Sequence, residues 1–293
     1  MQGKTVVVTG ATSGIGEVAA LELAGKGARI VFIARDRNRG EVTLAKLNAT
    51  APGLSHKVHY ADLTLLAEMK RVAAEIAASE PRVDVLINNA GAAFAQRQVT
   101  ADGFELTFAL NHLSYFVITA GLRERLLGSA PARIVSTSSA AHRGMNIDLD
   151  DLQSAKNYSS IKAYGRSKLE NILFTRELAR RLQGAGVTAN CLHPGFVATR
   201  FGHESGGVLQ QLLKAVQIFA ITPEKGAETI VYLAASPDVA GINGEYFIKN
   251  QIAKPSSAAR DGAMAAALWR KTAELTGVDW PEPAAPVLRA ASQ

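Results

Sequence analysis

Thr5-Val6-Val7-Val8-Thr9-Gly10-Ala11-Thr12-Ser13-Gly14-Ile15-Gly16 lies near the start of the chain and decides how the rest is read. Residues 4–9 are short, β-branched and apolar, the pattern of a strand buried on both faces inside a parallel sheet. From Glu17 to Gly25 the pattern turns helical. Between the two stand Gly10, Gly14 and Gly16. Glycine allows a tight turn and lets the backbone approach a pyrophosphate, which then sits on the positive end of the helix. The spacing Gly-x-x-x-Gly-x-Gly differs from the standard dinucleotide fingerprint, and a glycine-rich turn can be purely structural. The strand before it and the helix after it favour a nucleotide site over Gly10, Thr12, Ser13, Gly14, Ile15 and Gly16. Gly3-Lys4-Thr5 is no P-loop, because the upstream glycine is missing.

The strand–helix alternation then repeats along the chain. Strands are expected at 28–34, 57–61, 83–87, 133–137, 187–192 and 245–248. Helices are expected at 38–50, 65–79, 102–128, 223–235 and 256–277, and a further one carries Tyr164 and ends near 182. Such alternation implies a doubly wound, mostly parallel α/β sheet of Rossmann type, with helices on both faces and ligands at the strands' carboxyl ends. The chain divides into a domain over 1–250 with a lid at about 196–222, a helical extension over 251–280, and a proline- and alanine-rich tail over 281–293 expected to be disordered. The apolar run after 208 suits a lid over a greasy substrate or an oligomer contact.

Composition narrows the class. The 293 residues are 47% hydrophobic and 20% charged, which is globular rather than disordered. No run approaches eighteen apolar residues, so no membrane span is expected, and a strand pattern follows Met1 where a signal peptide would stand. A single cysteine, Cys191, excludes an internal disulfide and suits a reducing, cytoplasmic setting. The net charge of +6 is scattered among 26 acids, which argues against nucleic acid. His56 and His59 have no cysteine or carboxylate cluster around them and suggest no metal site.

Several motifs fall at strand ends. Arg35 follows the second strand, with Arg37 and Arg39 close behind, and a guanidinium can fork onto a ribose 2′-phosphate. A solvated basic loop is the plain alternative, and Asp36 could reach ribose hydroxyls instead. On balance NADP(H) is favoured over NAD(H). Asp62 either accepts from an adenine amine or caps the next helix. Asn88-Asn89-Ala90-Gly91 suits a turn lining the cofactor crevice. Asn111 inside a helical stretch either faces a site or is a satisfied core residue.

Tyr164 and Lys168 sit at i and i+4, so phenol and ammonium share one helix face. An ammonium beside a phenol favours the phenolate, which predicts a lowered tyrosine pKa and an acid/base usable at neutral pH. Ser139, at the end of the fifth strand, could hold the oxygen whose proton moves. Arg176, Arg180 and Arg181 look like a solvated face near a helix end. No Gly-x-Ser-x-Gly elbow occurs, which argues against a hydrolase.

Over roughly residues 3–250 the chain resembles the short-chain dehydrogenase/reductase family. The likeness rests on Thr9 to Gly16, Asn88 to Gly91, Asn111, Ser139, and Tyr164 with Lys168, in that order. The stretches 163–174 and 188–195, and the extension through Trp269, resemble the retinol-dehydrogenase-like branch. The resemblance implies Tyr164 as proton donor to a carbonyl or acceptor from an alcohol. It implies Lys168 as the group that lowers the tyrosine pKa and binds the nicotinamide ribose, and Ser139, rather than Ser138, on the substrate oxygen. Asn111 would hold a water relaying protons to Lys168. Leu63, Asn89, Ala90, Gly91, Pro194, Gly195, Val197 and Thr199 would complete the cofactor site. The implied substrate is a lipophilic aldehyde, ketone or alcohol, with reduction of a C=C bond or a catalytically silent NADP(H) sensor as the alternatives. A homodimer or homotetramer pairing through the helices of Asn111 and Tyr164 is also implied. Ser136 stands where the family often has Asn, and Glu170 where this branch usually has a small residue.

Overall fold

A computed structural model describes residues 1–195, 221–278 and 280. Strands β1 (Thr5–Thr9), β2 (Arg29–Ala34), β3 (Lys57–Tyr60), β4 (Val85–Asn88), β5 (Ala132–Thr137), β6 (Val187–His193), β7 (Tyr246–Ile248) and β8 (Gln251–Ile252) form one sheet in the order β3-β2-β1-β4-β5-β6-β7-β8. All pairs are parallel except β7 with the short edge strand β8, which the sequence pattern did not suggest. Strand β1 pairs with β2 on one side and β4 on the other, so the winding reverses there and opens a crevice beyond the carboxyl ends of β1 and β4.

The helices fall on both faces, as the alternation predicts. Val6 and Val8 join the apolar layer under α1 (Gly14–Gly25), α2 (Arg37–Thr50) and α8 (Pro223–Ala235). Val7 joins the opposite layer, with α3 (Leu66–Ser79), α5 (Ser114–Gly121) and α7 (Ser160–Arg181). One strand thus feeds two cores through its two-residue period.

The single helix expected over 102–128 is broken. Helix α4 (Leu106–Phe108) runs into a π-turn, Ala109–Leu113, then α5, and after Leu122 comes α6 (Arg123–Gly128). Asp102 is outside the helix because its carboxylate accepts from Leu66 N, at the start of α3, at 2.7 Å. Glu105 caps α4, accepting from Thr107 N and Phe108 N at 2.8 Å each.

The extension also starts later than expected. A 3-10 turn, Ala258–Arg260, precedes α9 (Gly262–Thr276), which Asp261 caps by accepting from Met264 N at 2.9 Å. Trp269 of α9 stacks on Phe174 of α7 (5.7 Å, 8° between planes) and meets Phe116 of α5 edge-on at 4.8 Å. The Arg181 guanidinium lies 4.6 Å from the Trp269 ring. Arg181 is therefore buried in packing, not on a solvated face, because the extension covers it. Most of the lid and the whole tail lie outside the described residues, as do Val197 and Thr199. Among the described residues, no helix is long and apolar enough to cross a membrane.

Candidate active site

The glycine turn is shaped by close approach. Gly10 has φ +71°, and a Cβ there would come within 2.9 Å of the Ala90 backbone. A Cβ on Gly16 would run into the Gly10 carbonyl and the Asn89 amide. Gly14, with φ +59°, is the first residue of α1. Ser13 at the cap is extended and its side chain makes no capping hydrogen bond, so the first amides of α1 are left to an outside acceptor. A phosphate at that helix end satisfies both the amides and the dipole.

Asn89 acts as scaffold here. Its Nδ2 donates to the carbonyls of Thr9 and Gly10 (3.4 and 3.3 Å), and its Oδ1 accepts from Thr137 Oγ1 at 3.1 Å. Thr9 Oγ1 accepts from the amides of Asn89 and Ala90 (2.9 and 3.0 Å). These bonds staple the ends of β1, β4 and β5 together. Asn88 is also committed, donating to Thr119 Oγ1 at 2.9 Å.

At the end of β2, Arg35 is exposed, whereas Asp36 is employed as the cap of α2, accepting from Arg39 N at 2.8 Å. Arg37 lies over the Tyr60 ring at 4.7 Å. Asp62 caps no helix. Its Oδ1 accepts from the amide and hydroxyl of Thr64 (3.0 and 2.8 Å), and the Leu63 side chain belongs to the core. His56 accepts from Ile30 N at 3.0 Å, while His59 Nδ1 is 3.5 Å from the Glu75 carboxylate. Among the described residues, no His/Cys/Asp/Glu group could hold a metal.

Ser139, Tyr164 and Lys168 do come together. Strand β5 ends just before Ser138-Ser139, and the first two turns of α7 bring Tyr164 opposite, hydrogen-bonded to Ser139. Lys168 Nζ lies 5.4 Å from the Tyr164 ring centroid and donates to Thr137 O at 3.2 Å. Asn171 Nδ2 donates to the same carbonyl at 3.2 Å.

The protonation states differ from the sequence-based expectation. Burial pushes the Tyr164 phenol up to about 12, and only the Ser139 hydrogen bond opposes it. Burial lowers Lys168 to about 7. Lys168 makes its hydrogen bond to a backbone carbonyl, so desolvation decides both groups and the phenol stays protonated.

Asn111 is buried in the π-turn. Its Nδ2 donates to Ala92 O and Ser167 Oγ, and its Oδ1 accepts from Ala92 N, all at 2.9 Å. Both donors are thus engaged, and only one lone pair remains for a water. Gly91 fits between Asn111 and Lys168: a Cβ there would lie 3.1 Å from Asn111 Oδ1 and 3.3 Å from Lys168 Nζ. Pro194 and Gly195 follow β6, with Gly195 at φ +93° beside Ile221. Sequence reasoning missed Thr137, Asn171 and His142. No local pattern marks them, since a shared carbonyl is visible only once β5 and α7 are packed.

The short chain dehydrogenase family model matches residues 4–207. The chain belongs to the short-chain dehydrogenase family, in its retinol-dehydrogenase-like branch, and is an oxidoreductase of the kind that uses a nicotinamide dinucleotide. Human retinol dehydrogenase 13 is 41% identical over 287 residues, covering 95% of this chain and 86% of the relative. Human retinol dehydrogenase 14 is 42% identical over 294 residues, covering 95% and 88%. Among solved structures, an uncharacterized protein from Mycobacterium Paratuberculosis superposes with TM-score 0.77 at 34% identity, covering 96% of each chain. A Pseudomonas aeruginosa RhlG/NADP active-site complex gives TM-score 0.68 at 27% identity, covering 84% of this chain and 94% of that one.

Proposed function

We propose that this protein interconverts a carbonyl and an alcohol with NADP(H), acting on a lipophilic aldehyde, ketone or alcohol. The observation that carries the reading is the Ser139–Tyr164 hydrogen bond beside Lys168, at the carboxyl end of a parallel sheet. Ser139 donates to the substrate oxygen and holds it against Tyr164. Tyr164 gives that oxygen its proton in reduction and takes one back in oxidation. Lys168 binds ribose hydroxyls and, when protonated, favours the phenolate. Bound nicotinamide supplies or accepts the hydride.

The preference for NADP(H) is supported by the end of β2. Asp36 spends its carboxylate on the α2 cap, while the exposed Arg35 has no ion pair among the described residues. The retinol dehydrogenase relatives support an apolar substrate. A cytoplasmic setting belongs to the same proposal, supported by the lone buried Cys191. So does a homo-oligomer, although α9 already covers the ring face of α5 and α7 through Trp269, so contacts there would be made by α9.

The test is oxidation of NADPH and NADH in parallel by the purified protein, across aldehydes and ketones of rising chain length, with products identified. Faster turnover with NADPH that improves with chain length and yields the alcohol supports the reading. Saturated ketone from an enone would mean C=C reduction. Tight NADPH binding with no turnover on any carbonyl would leave a sensor.

A further inference from the structure

His142 lies outside the acid–base set, yet it joins that set to the C-terminal segment. Its Nδ1 is 2.6 Å from the Ser139 carbonyl, which can only accept, so Nδ1 carries the hydrogen. Its Nε2 is 3.2 Å from Ser256 N, which can only donate, so Nε2 presents a lone pair. The two bonds demand the same neutral tautomer, and the ring is fully buried, edge-on to Tyr246 at 5.2 Å. Next in sequence, Arg143 donates to Lys254 O at 3.0 Å. The segment at 254–256 is thereby bonded to the turn that directly follows Ser139.

A second imidazole does the same on the other side. His112, adjacent to Asn111 in the π-turn, has Nε2 2.9 Å from Thr272 Oγ1 of α9. Both groups are buried. The extension therefore meets the catalytic elements at two histidines, one beside Ser139 and one beside Asn111.

We propose that the C-terminal segment over 253–278 braces the catalytic site, with His142 as the positioning residue for Ser139. The Ser139 hydroxyl must stay within hydrogen-bond reach of both Tyr164 and a substrate oxygen. It stands where β5 has ended, and the turn that follows, Ala140–His142, is only three residues long. One such turn is weakly self-supporting. The imidazole closes it from inside, and Ser256 fixes the imidazole. The same segment that packs Trp269 on α7 thus holds the serine opposite that helix.

This inference rests on the proposed carbonyl–alcohol reading, and the test separates the two. Full-length wild type, His142→Leu, His142→Asn and Ser256→Pro are compared in NADPH-dependent reduction of decanal, in NADPH affinity, and in amide hydrogen exchange over 137–145. Asn keeps a donor near the Nδ1 position, Leu removes both imidazole bonds, and Pro removes the Ser256 N–H together with the hydroxyl that accepts from Ala259 N at 3.3 Å. His142→Leu should lower kcat about 10- to 100-fold, as misplacement of a catalytic group does, with NADPH affinity within about twofold. Exchange over 137–145 should rise. His142→Asn should recover kcat to within about threefold, and Ser256→Pro should fall between.

Wild-type kcat in His142→Leu, or equal damage from Leu and Asn, overturns the brace. If His142→Leu does not fold, wild-type kcat and exchange in Ser256→Pro overturn it instead. A wild type inert on every carbonyl defeats the carbonyl–alcohol reading, and exchange alone then decides, unchanged protection in His142→Leu sinking the brace.

Discussion

Ser138 donates to the main-chain carbonyl of Lys168 across 2.7 Å, while its neighbour Ser139 hydrogen-bonds Tyr164. Ser138 is thus committed to the packing of α7, whereas the Ser139 hydroxyl both faces Tyr164 and caps the turn that follows, accepting from Ala141 N at 3.2 Å. Ser138 is buried, and removing its hydroxyl leaves a buried carbonyl without that partner. Ser138→Ala should cost about 1–2 kcal/mol of stability while keeping kcat within about threefold. Ser139→Ala should keep stability within about 1 kcal/mol and lower kcat by about 100-fold or more. Thermal unfolding and steady-state kinetics on both variants check the division; a reversed pattern would move the substrate contact to Ser138.

The Tyr164 phenol, pushed up to about 12, is an acid across the neutral range. Carbonyl reduction needs the protonated phenol and should be nearly flat from pH 6 to 9. Alcohol oxidation needs the phenolate, whose population rises about tenfold per pH unit below the pKa. Oxidation should therefore climb steadily from pH 7 to 10 while reduction does not. Tyr164→Phe should lose about 100- to 10,000-fold in both directions with NADPH affinity preserved. Parallel pH–rate profiles decide it; an oxidation rate independent of pH would show a phenolate already formed, and with it a stronger influence of Lys168.

The sheet was legible because buried parallel strands are continuous apolar runs, and β1, β4 and β5 end at or just before Gly10, Asn88 and Ser138 where the crevice opens. The Tyr164–Lys168 face was legible because i and i+4 are neighbours on any helix. What escaped depends on partners far along the chain. Asp102 leaves its helical pattern to serve Leu66, and Asn111 spends its side chain on Ala92 and Ser167. His142 finds Ser256 across 114 positions. The tyrosine pKa escaped for another reason: sequence spacing shows the ammonium nearby but not the desolvation that outweighs it.

The end of β2 gives a clean test of cofactor choice. Arg35→Ala should weaken NADPH binding about tenfold, the loss of one charge-assisted contact, and leave NADH binding within about twofold. Asp36→Ala removes the α2 cap and should cost about 1 kcal/mol of stability without improving NADPH over NADH. Dissociation constants for both nucleotides, with unfolding curves, check these outcomes. Weaker NADH binding in Asp36→Ala, with Arg35→Ala silent, would transfer the ribose contact to the carboxylate.

Glu170 stands two residues beyond Lys168, is 1% exposed, and has no hydrogen-bond partner at Oε2 among the described residues. Burial raises its carboxyl to about 8; Arg166 opposes that rise and Glu105 adds to it. Between pH 4.5 and 8 the folded chain keeps a proton that the unfolded chain releases. The stability from this group is fully present below pH 4.5 and is lost as pH rises through 8, at up to about 1.4 kcal/mol per pH unit. His112, His142 and His193, all lowered by burial, give the opposite slope below pH 6.5, and Lys168 does so above 7. Those groups are shared by the wild type and Glu170→Gln, so their slopes cancel in the difference. Glu170→Gln should therefore gain about 1 kcal/mol or more relative to wild type between pH 5 and pH 8. Urea unfolding of both proteins at the two pH values measures it. A difference that does not change with pH would mean the carboxylate is ionised in the folded protein, with Arg166 as its effective partner.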